Sequence, residues 1–365
     1  MPWALPIVCL SAAAATALLA SVVVRRVALR TGFVDRPGGH KAHAGEVALG
    51  GGVAIFVAAV VPMGVALAAA HAFGRNPPQW VPALVHTHLG GVLAKTREAL
   101  AILVGALALL VLGLIDDRRA LSAGPKFLVH LLVALGLAVG GEVRVLSHLG
   151  PVISIPVTVL WIVTIINAFN FLDNMDGLAA GVAAIVTGLC SLLAVSAGQV
   201  FVPACCWLLA GALVGFLPFN FQPARLYMGD AGSTVIGYLV AVYAVLTTFY
   251  NPAQHARPIG VVAPLVVLAV PLYDTASVIW LRWREGRSLW VGDRRHFSHR
   301  LVRAGMSPRR AVAMIWLATV VTGLPALLLP SASWPAAATI LVHTLGVVAL
   351  VALMESVAGR GEAQR

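Results

Sequence analysis

Apolar and polar residues fall along this chain in long blocks, not in the short periods of a soluble domain. Eleven predominantly apolar segments stand out, at 5–24, 48–72, 99–115, 126–141, 151–168, 178–196, 200–218, 233–250, 259–281, 310–329 and 335–354. Most approach the roughly 20 residues that a helix needs to cross the hydrocarbon core of a bilayer. Lipid offers the backbone no hydrogen-bond partners, so spanning segments of this kind are predicted to be helices. The pattern predicts an all-α, polytopic integral membrane protein with about eleven transmembrane helices. Nothing along residues 1–365 reads as a soluble domain, a low-complexity tract or a repeat, so a single transmembrane domain is expected, with a frayed tail over 355–365.

Composition strengthens that picture. Of the 365 residues 60% are hydrophobic and only 11% charged, against about 25% charged in ordinary soluble domains. Mean hydropathy is +0.92. The formal net charge of +11 would suit a nucleic acid, but the basic residues sit in loops beside apolar segments. There they orient the chain and meet anionic lipid or phosphate, so the bilayer is the expected partner and nucleic acid is not. With the N-terminus outside, twenty of the 25 Lys and Arg fall in inside loops, and only Arg75, Lys95, Arg97, Arg144 and Arg257 fall outside. That bias predicts an external N-terminus and a cytoplasmic C-terminus. Arg25 and Arg26 follow the first apolar segment, the reverse of a cleavable signal, so that segment is expected to be a retained span. Cys9, Cys190, Cys205 and Cys206 all lie within apolar runs and form neither a disulfide framework nor a metal-ligand spacing.

The candidate chemistry gathers where apolar segments meet. Asn167, Asn170, Asp173, Asn174 and Asp176 lie between two such segments. If the first helix continues, Asn167, Asn170 and Asn174 share one face with Asp173 beside it, and Gly177 is a natural stop. Carboxylates and carboxamides are expensive at a membrane edge, which makes the cluster a site by default. Asp116 and Asp117 end another apolar run. The run Gly229-Asp230-Ala231-Gly232-Ser233 precedes a further apolar helix. Asp230 is a good hard-cation ligand there, and Ser233 is placed to cap a helix whose N–H groups face a phosphate. Between Asp293 and Arg300 lie His296, His299 and three arginines, a set suited to phosphate. Asp35, Lys41 and His43 form a polar loop that returns to the membrane through Gly50–Gly52. A divalent ion, phosphates and a lipid together are what phosphoryl transfer at a membrane requires.

These motifs carry a resemblance. The chain resembles the polyprenyl-phosphate N-acetylhexosamine-1-phosphate transferases, which include the undecaprenyl-phosphate GlcNAc-1-phosphate transferases and phospho-MurNAc-pentapeptide translocase. Five motifs match in order between about residues 35 and 312: Asp35 to His43 with Gly50 and Gly51; Asp116-Asp117; Asn167 to Leu178; Met228 to Ser233; and Asp293 to Leu301. The resemblance implies transfer of a sugar-1-phosphate from a UDP-sugar to a polyprenyl phosphate, with release of UMP, on the cytoplasmic face of the inner (plasma) membrane. It implies Mg²⁺, with Mn²⁺ as a substitute, held by Asp230 with Asn170 as second ligand. Asp116 and Asp117 would handle the polyprenyl phosphate, and Asp173 and Asp176 the nucleotide diphosphate. Asn220 and Tyr227 would hold uracil. Lys41, His43, Asn167, Arg295, His296, His299 and Arg300 would complete substrate binding, and a homodimer is a further candidate assembly.

The chain departs from the family pattern at four points. Ser298-His299 stands where His-His is usual, Asp173-Asn174 where Asp-Gly is usual, His40 where Arg is usual, and Glu46 and Ala48 where prolines are usual. The last motif lies closer to the GlcNAc-1-phosphate branch than to the pentapeptide branch, which is the alternative substrate. A transporter or flippase of anionic lipid or sugar is the alternative of another class, but its polar groups should recur at mid-membrane depth and face both sides. Here they crowd one edge. Reporter fusions at Ala120, Gly177, Ala231 and Gly292 are all expected to signal cytoplasm, and an external signal at any of them would break the single-face site.

Overall fold

The computed structural model describes residues 4–36, 45–74, 83–247, 258–286 and 296–363. Its helices are α1 (Ala4–Thr31), α2 (Gly51–Ala59), α3 (Val61–Phe73), α4 (Ala83–Ala94), α5 (Thr96–Arg118), α6 (Ala123–Leu135), α7 (Pro151–Leu172), α8 (Leu178–Ser196), α9 (Phe201–Asn220), α10 (Gly229–Leu246), α11 (Ala263–Val267), α12 (Ala269–Arg284), α13 (Phe297–Arg303), α14 (Pro308–Gly323) and α15 (Trp334–Ala363). Among the described residues ten straight spans are long and apolar enough to cross a membrane. An eleventh is a pair bent by 66° between 259–267 and 269–284. The expected eleven segments are therefore all present, one of them broken.

The ends differ from the apolar blocks for a physical reason. A helix runs on past its greasy stretch as long as its polar end can reach water, so α1 continues through Arg25 and Arg26 to Thr31 and α5 carries Asp116 and Asp117 in its last turn. The expected frayed tail is helical as far as Ala363. The short helix α4, just before α5, was not anticipated from the apolar pattern.

α10 stands at the centre and packs on α2, α5, α7 and α8, while α1 lies along α9. Burial is inverted relative to a soluble protein's outer surface. Ile7, Leu19, Leu160, Val342 and Leu345 all point outward, as helices in lipid require. Small residues let the central backbones touch. A Cβ on Gly52 of α2 or on Gly113 of α5 would come under 3.0 Å from the backbone around Ala231. Only glycine permits that approach.

Among the described residues strand structure is confined to β1 (Val34–Asp35) and β2 (Val47–Ala48), paired antiparallel with Val34 opposite Ala48. Ala48 also bridges Leu226 in parallel, and the N–H groups of Gly51 and Gly52 donate to the carbonyls of Tyr227 and Met228 at 2.9 and 3.0 Å. The first glycine motif is thereby tied to the segment that leads into α10.

Gly113→Ala is expected to lower the unfolding temperature in detergent, on the scale of the roughly 1–3 kcal/mol that overpacking costs. Gly188→Ala on α8, where an added Cβ meets nothing within 4 Å, is expected to leave it unchanged or slightly raised. Equal responses would remove the close approach as the reason for glycine at 113.

Candidate active site

The first turn of α10 is the floor of the site. Its backbone N–H groups have no partners within their own helix, and a neighbouring helix supplies them. Asp117 Oδ1 accepts from the Asp230 N–H at 2.7 Å, and Oδ2 accepts from the Ala231 N–H at 3.3 Å. The cap of α10 is therefore a carboxylate from α5, where Ser233 had been expected. α10 starts earlier than the apolar block suggested, at Gly229, which puts Ser233 inside the first turn. Its hydroxyl instead accepts from Asn170 Nδ2 at 3.0 Å. Gly229 has φ +69, and a Cβ there would strike the Asp117 carboxylate.

Around that floor the other acids are threaded together. Lys126, in the first turn of α6, donates from Nζ to Asp116 Oδ2 at 2.8 Å and to Asp230 Oδ2 at 3.0 Å. Asp116 also accepts from the Leu121 N–H at 2.6 Å. Asn170 Nδ2 donates to Asp230 Oδ1 at 3.1 Å. As placed, Asn170 presents its N–H₂ to Asp230 and supports that carboxylate from the side opposite Lys126. In the sequence Lys126 is one of the twenty basic residues of the inside loops; its signal is its position, a cation ten residues beyond Asp116 at the start of an apolar run.

The Asn-Asp motif does not continue the helix. α7 ends at Leu172, and Asp173 to Gly177 form a turn; Gly177, with φ +77, precedes α8 and does not close α7. Asn174 therefore leaves the shared face and donates back to the Phe171 carbonyl at 2.6 Å, while Asn167 donates to the Val163 carbonyl at 2.7 Å. Burial, and then the charges of Asp230, Asp117 and Asp176, hold the Asp173 carboxyl well above the usual carboxylate range. Asp176 accepts from the Ala224 N–H at 2.9 Å. Burial and the charges of Asp176, Asp35 and Asp173 push the Tyr227 phenol up to about 12, so this ring shares the acidic field. Asn220 is buried and donates to the Leu226 carbonyl at 3.2 Å while its oxygen accepts from the Gly177 N–H at 3.1 Å. In this arrangement it clamps two loops of the site to each other.

The last motif is divided. His296 is buried with Nδ1 2.9 Å from Asp274 Oδ2 on α12, and its ring lies 5.9 Å from that of Phe171. Ser298 donates to Asn174, so two of the four departures from the family pattern touch each other. Arg300 turns into the protein: Nη2 donates to Ser277 at 2.9 Å, and Nε lies 3.0 Å from Glu355 of α15, which also accepts from Tyr273 at 2.8 Å. Arg300 is thereby tied to both α12 and α15. His299 is half-buried. Lys41, His43 and Arg295 lie outside the described residues. Asp274 carries no signal in the sequence because it is a lone acid within an apolar run, and Glu355 because it falls in the tail just past one.

Residues from α5, α6, α7, α10 and α13 thus meet at one end of the bundle. The profile described as "Glycosyl transferase family 4" matches residues 99–248. A Bacillus subtilis protein named a probable undecaprenyl-phosphate N-acetylglucosaminyl 1-phosphate transferase is 32% identical over 326 residues, 87% of this chain and 83% of that protein. The chain belongs to glycosyl transferase family 4. This family 4 chain is also 36% identical over 323 residues to a decaprenyl-phosphate N-acetylglucosaminephosphotransferase of Mycolicibacterium smegmatis, covering 80% of this chain and 74% of the relative. To the undecaprenyl-phosphate alpha-N-acetylglucosaminyl 1-phosphate transferase of Yersinia pestis it is 32% identical over 310 residues, covering 81% and 76%. The resemblance drawn from the five motifs is borne out, and all the relatives named here belong to its GlcNAc-1-phosphate branch.

Asp116 and Asp117, adjacent in sequence, have different structural duties. Asp117→Ala is expected to speed hydrogen exchange at the amides of Asp230 and Ala231 and to cost about 1–2 kcal/mol, the scale of a lost helix cap. Asp116→Ala is expected to leave those two amides protected. Identical exchange in both variants would refute the division.

Proposed function

We propose that this family 4 chain transfers N-acetylglucosamine-1-phosphate from a UDP-sugar to a polyprenyl phosphate, releasing UMP, as the first membrane step of an envelope glycan. The observation that carries the reading is the meeting of Asp116 and Asp230 on the Lys126 ammonium, with Asp117 on the Asp230 amide, at one end of a lipid-facing bundle. The printed names of the relatives support the acceptor and the sugar. The basic-residue bias supports an external N-terminus and a site on the cytoplasmic face of the plasma membrane.

In this reaction an oxygen of the polyprenyl phosphate attacks the phosphorus that bears the sugar. The bond from that phosphorus to the bridging oxygen breaks, and UMP leaves with the oxygen and its electron pair. Catalysis of such a transfer is chiefly positioning and neutralisation of phosphate charge. Lys126 is the cation at hand, and because Asp117 already occupies the first amides of α10, phosphate recognition passes from that helix end to Lys126. Tyr227 lies in the field of Asp173 and Asp176, and in this reading it would serve the nucleotide side.

The residues fit a magnesium ion. Burial, and then the neighbouring carboxylates, raise Asp173, and among the described residues no three His, Cys, Asp or Glu side chains form a cage. Mg²⁺ suits that donor set, since it keeps several waters and takes one or two carboxylates plus substrate phosphates. Asp230, with Asn170 beside it, would hold Mg²⁺ or its substitute Mn²⁺, which when bound supplies charge neutralisation to the phosphate oxygens.

The purified protein given UDP-GlcNAc, undecaprenyl phosphate and Mg²⁺ is expected to release UMP. Asp230→Asn is expected to lower turnover about 10³-fold, the scale for losing a clamp on transition-state charge, and to weaken Mn²⁺ binding measured by spin resonance. Full turnover and unchanged ion binding in that variant would place the metal elsewhere. No UMP from the parent with any of a panel of UDP-sugars would end the transferase reading.

A further inference from the structure

Asp274 sits in the second turn of α12, 1% exposed, in a stretch otherwise apolar from Pro271 to Tyr273. Leaving a carboxylate in such surroundings is costly unless its oxygens are matched by donors. Both are matched, and both donors come from one short segment. Oδ2 lies 2.9 Å from His296 Nδ1, and Oδ1 accepts from the Phe297 N–H at 2.6 Å. A carboxylate can only accept, so Nδ1 carries the hydrogen. The remaining ring nitrogen, Nε2, is directed away from Asp274 by the geometry of the ring itself.

His296 is only 5% exposed and lies against the last turn of α7, its ring centroid 5.9 Å from that of Phe171. The Arg282 guanidinium stands 5.8 Å from the centroid of the same Phe171 ring. Phe171 directly follows Asn170 and precedes Asp173 by two residues, so the imidazole is held one aromatic ring away from the acidic cluster. Nearby, Arg300 and Glu355 bind α13 to α12 and α15 independently of Asp274. α13 is thus anchored twice over, and the bond to the imidazole adds what anchorage alone does not need: a fixed ring and a fixed tautomer.

We propose that Asp274 is a positioning residue for the sugar-phosphate transfer, holding His296 with Nδ1–H inward so that Nε2 is presented to a phosphate oxygen of the sugar nucleotide. The inference rests on the transferase reading of the site. An Asp that fixes the tautomer of a working imidazole acts through the histidine alone. A purely structural post acts whether or not the histidine is present, and that difference makes the idea testable.

The experiment is a double-mutant cycle on the full-length protein in detergent, with UMP release from UDP-GlcNAc and undecaprenyl phosphate as the kinetic readout. Asp274→Asn is expected to lower turnover about 10–100-fold, the scale for losing the partner of a functional imidazole, with a smaller change in KM for the UDP-sugar. In the His296→Ala background the same substitution is expected to lower turnover no further. An equal fall in both backgrounds would overturn the proposal and leave Asp274 as a post. Asp274→Glu, which keeps the acceptor, is expected to recover part of the turnover; where Asp274→Asn unfolds, it takes that variant's place in the cycle. Nitrogen-15 spectra of labelled histidine supply a readout free of activity: the protonated Nδ1 of His296 should be present in the parent and lost in Asp274→Asn. A parent signal showing Nδ1 without a proton would sink the proposal. Absence of UMP from the parent would sink the transferase reading while leaving the tautomer measurement to stand on its own.

Discussion

The site depends on how the first turn of α10 is completed. A helix that begins beside lipid leaves its first N–H groups without partners, and water is not freely available to satisfy them. The chain solves this with a carboxylate from another helix: Asp117 of α5 takes the amides of Asp230 and Ala231. The two helices must then come so close that Gly113 faces Ala231 and Gly229 faces Asp117 itself. Once α5 and α10 are locked in this way, Asp116 and Asp230 are brought within reach of one ammonium group, and Lys126 joins them. Capping, close approach and the clustering of charge are consequences of one another.

Much of this was legible in the sequence. Eleven apolar blocks reappear as ten straight spans and one bent pair because lipid leaves the backbone little alternative to helix. The acids and amides at block ends meet at one end of the bundle because apolar helices have few other places for them. Local geometry was less legible. Periodicity alone carried α7 on to Gly177, whereas the helix stops at Leu172 and the motif folds as a turn. Ser233 looked like a cap because the apolar block begins there, but helix and apolar block are different things: α10 starts four residues earlier, at Gly229. Single polar residues were least legible of all. Lys126, Asp274 and Glu355 have partners as far as 104, 22 and 82 positions away.

The last motif shows that residue type alone does not tell what a basic side chain is tied to. Of its three guanidiniums and two imidazoles, Arg300 reaches Ser277 and Glu355, while His296 keeps one ring nitrogen on Asp274 and leaves the other for a ligand. Some of that positive charge holds α13 in place. The same economy appears at Asn220, a carboxamide whose oxygen and N–H₂ both serve to join the Gly177 turn to the strand-like approach to α10. The loops at this end are fixed largely by polar ties between themselves.

The separation of Asp117 from its partners bears on how such a chain enters the membrane. Asp116 finds Lys126 ten residues later, at the next helix, so that pair can form almost as soon as it leaves the ribosome. Asp117 must wait for amides 113 and 114 residues downstream. Until α10 arrives the carboxylate has to stay hydrated, which pins the end of α5 at the water boundary and sets its depth in the bilayer. The residue that later closes the central contact thus first acts as a float for the helix that carries it.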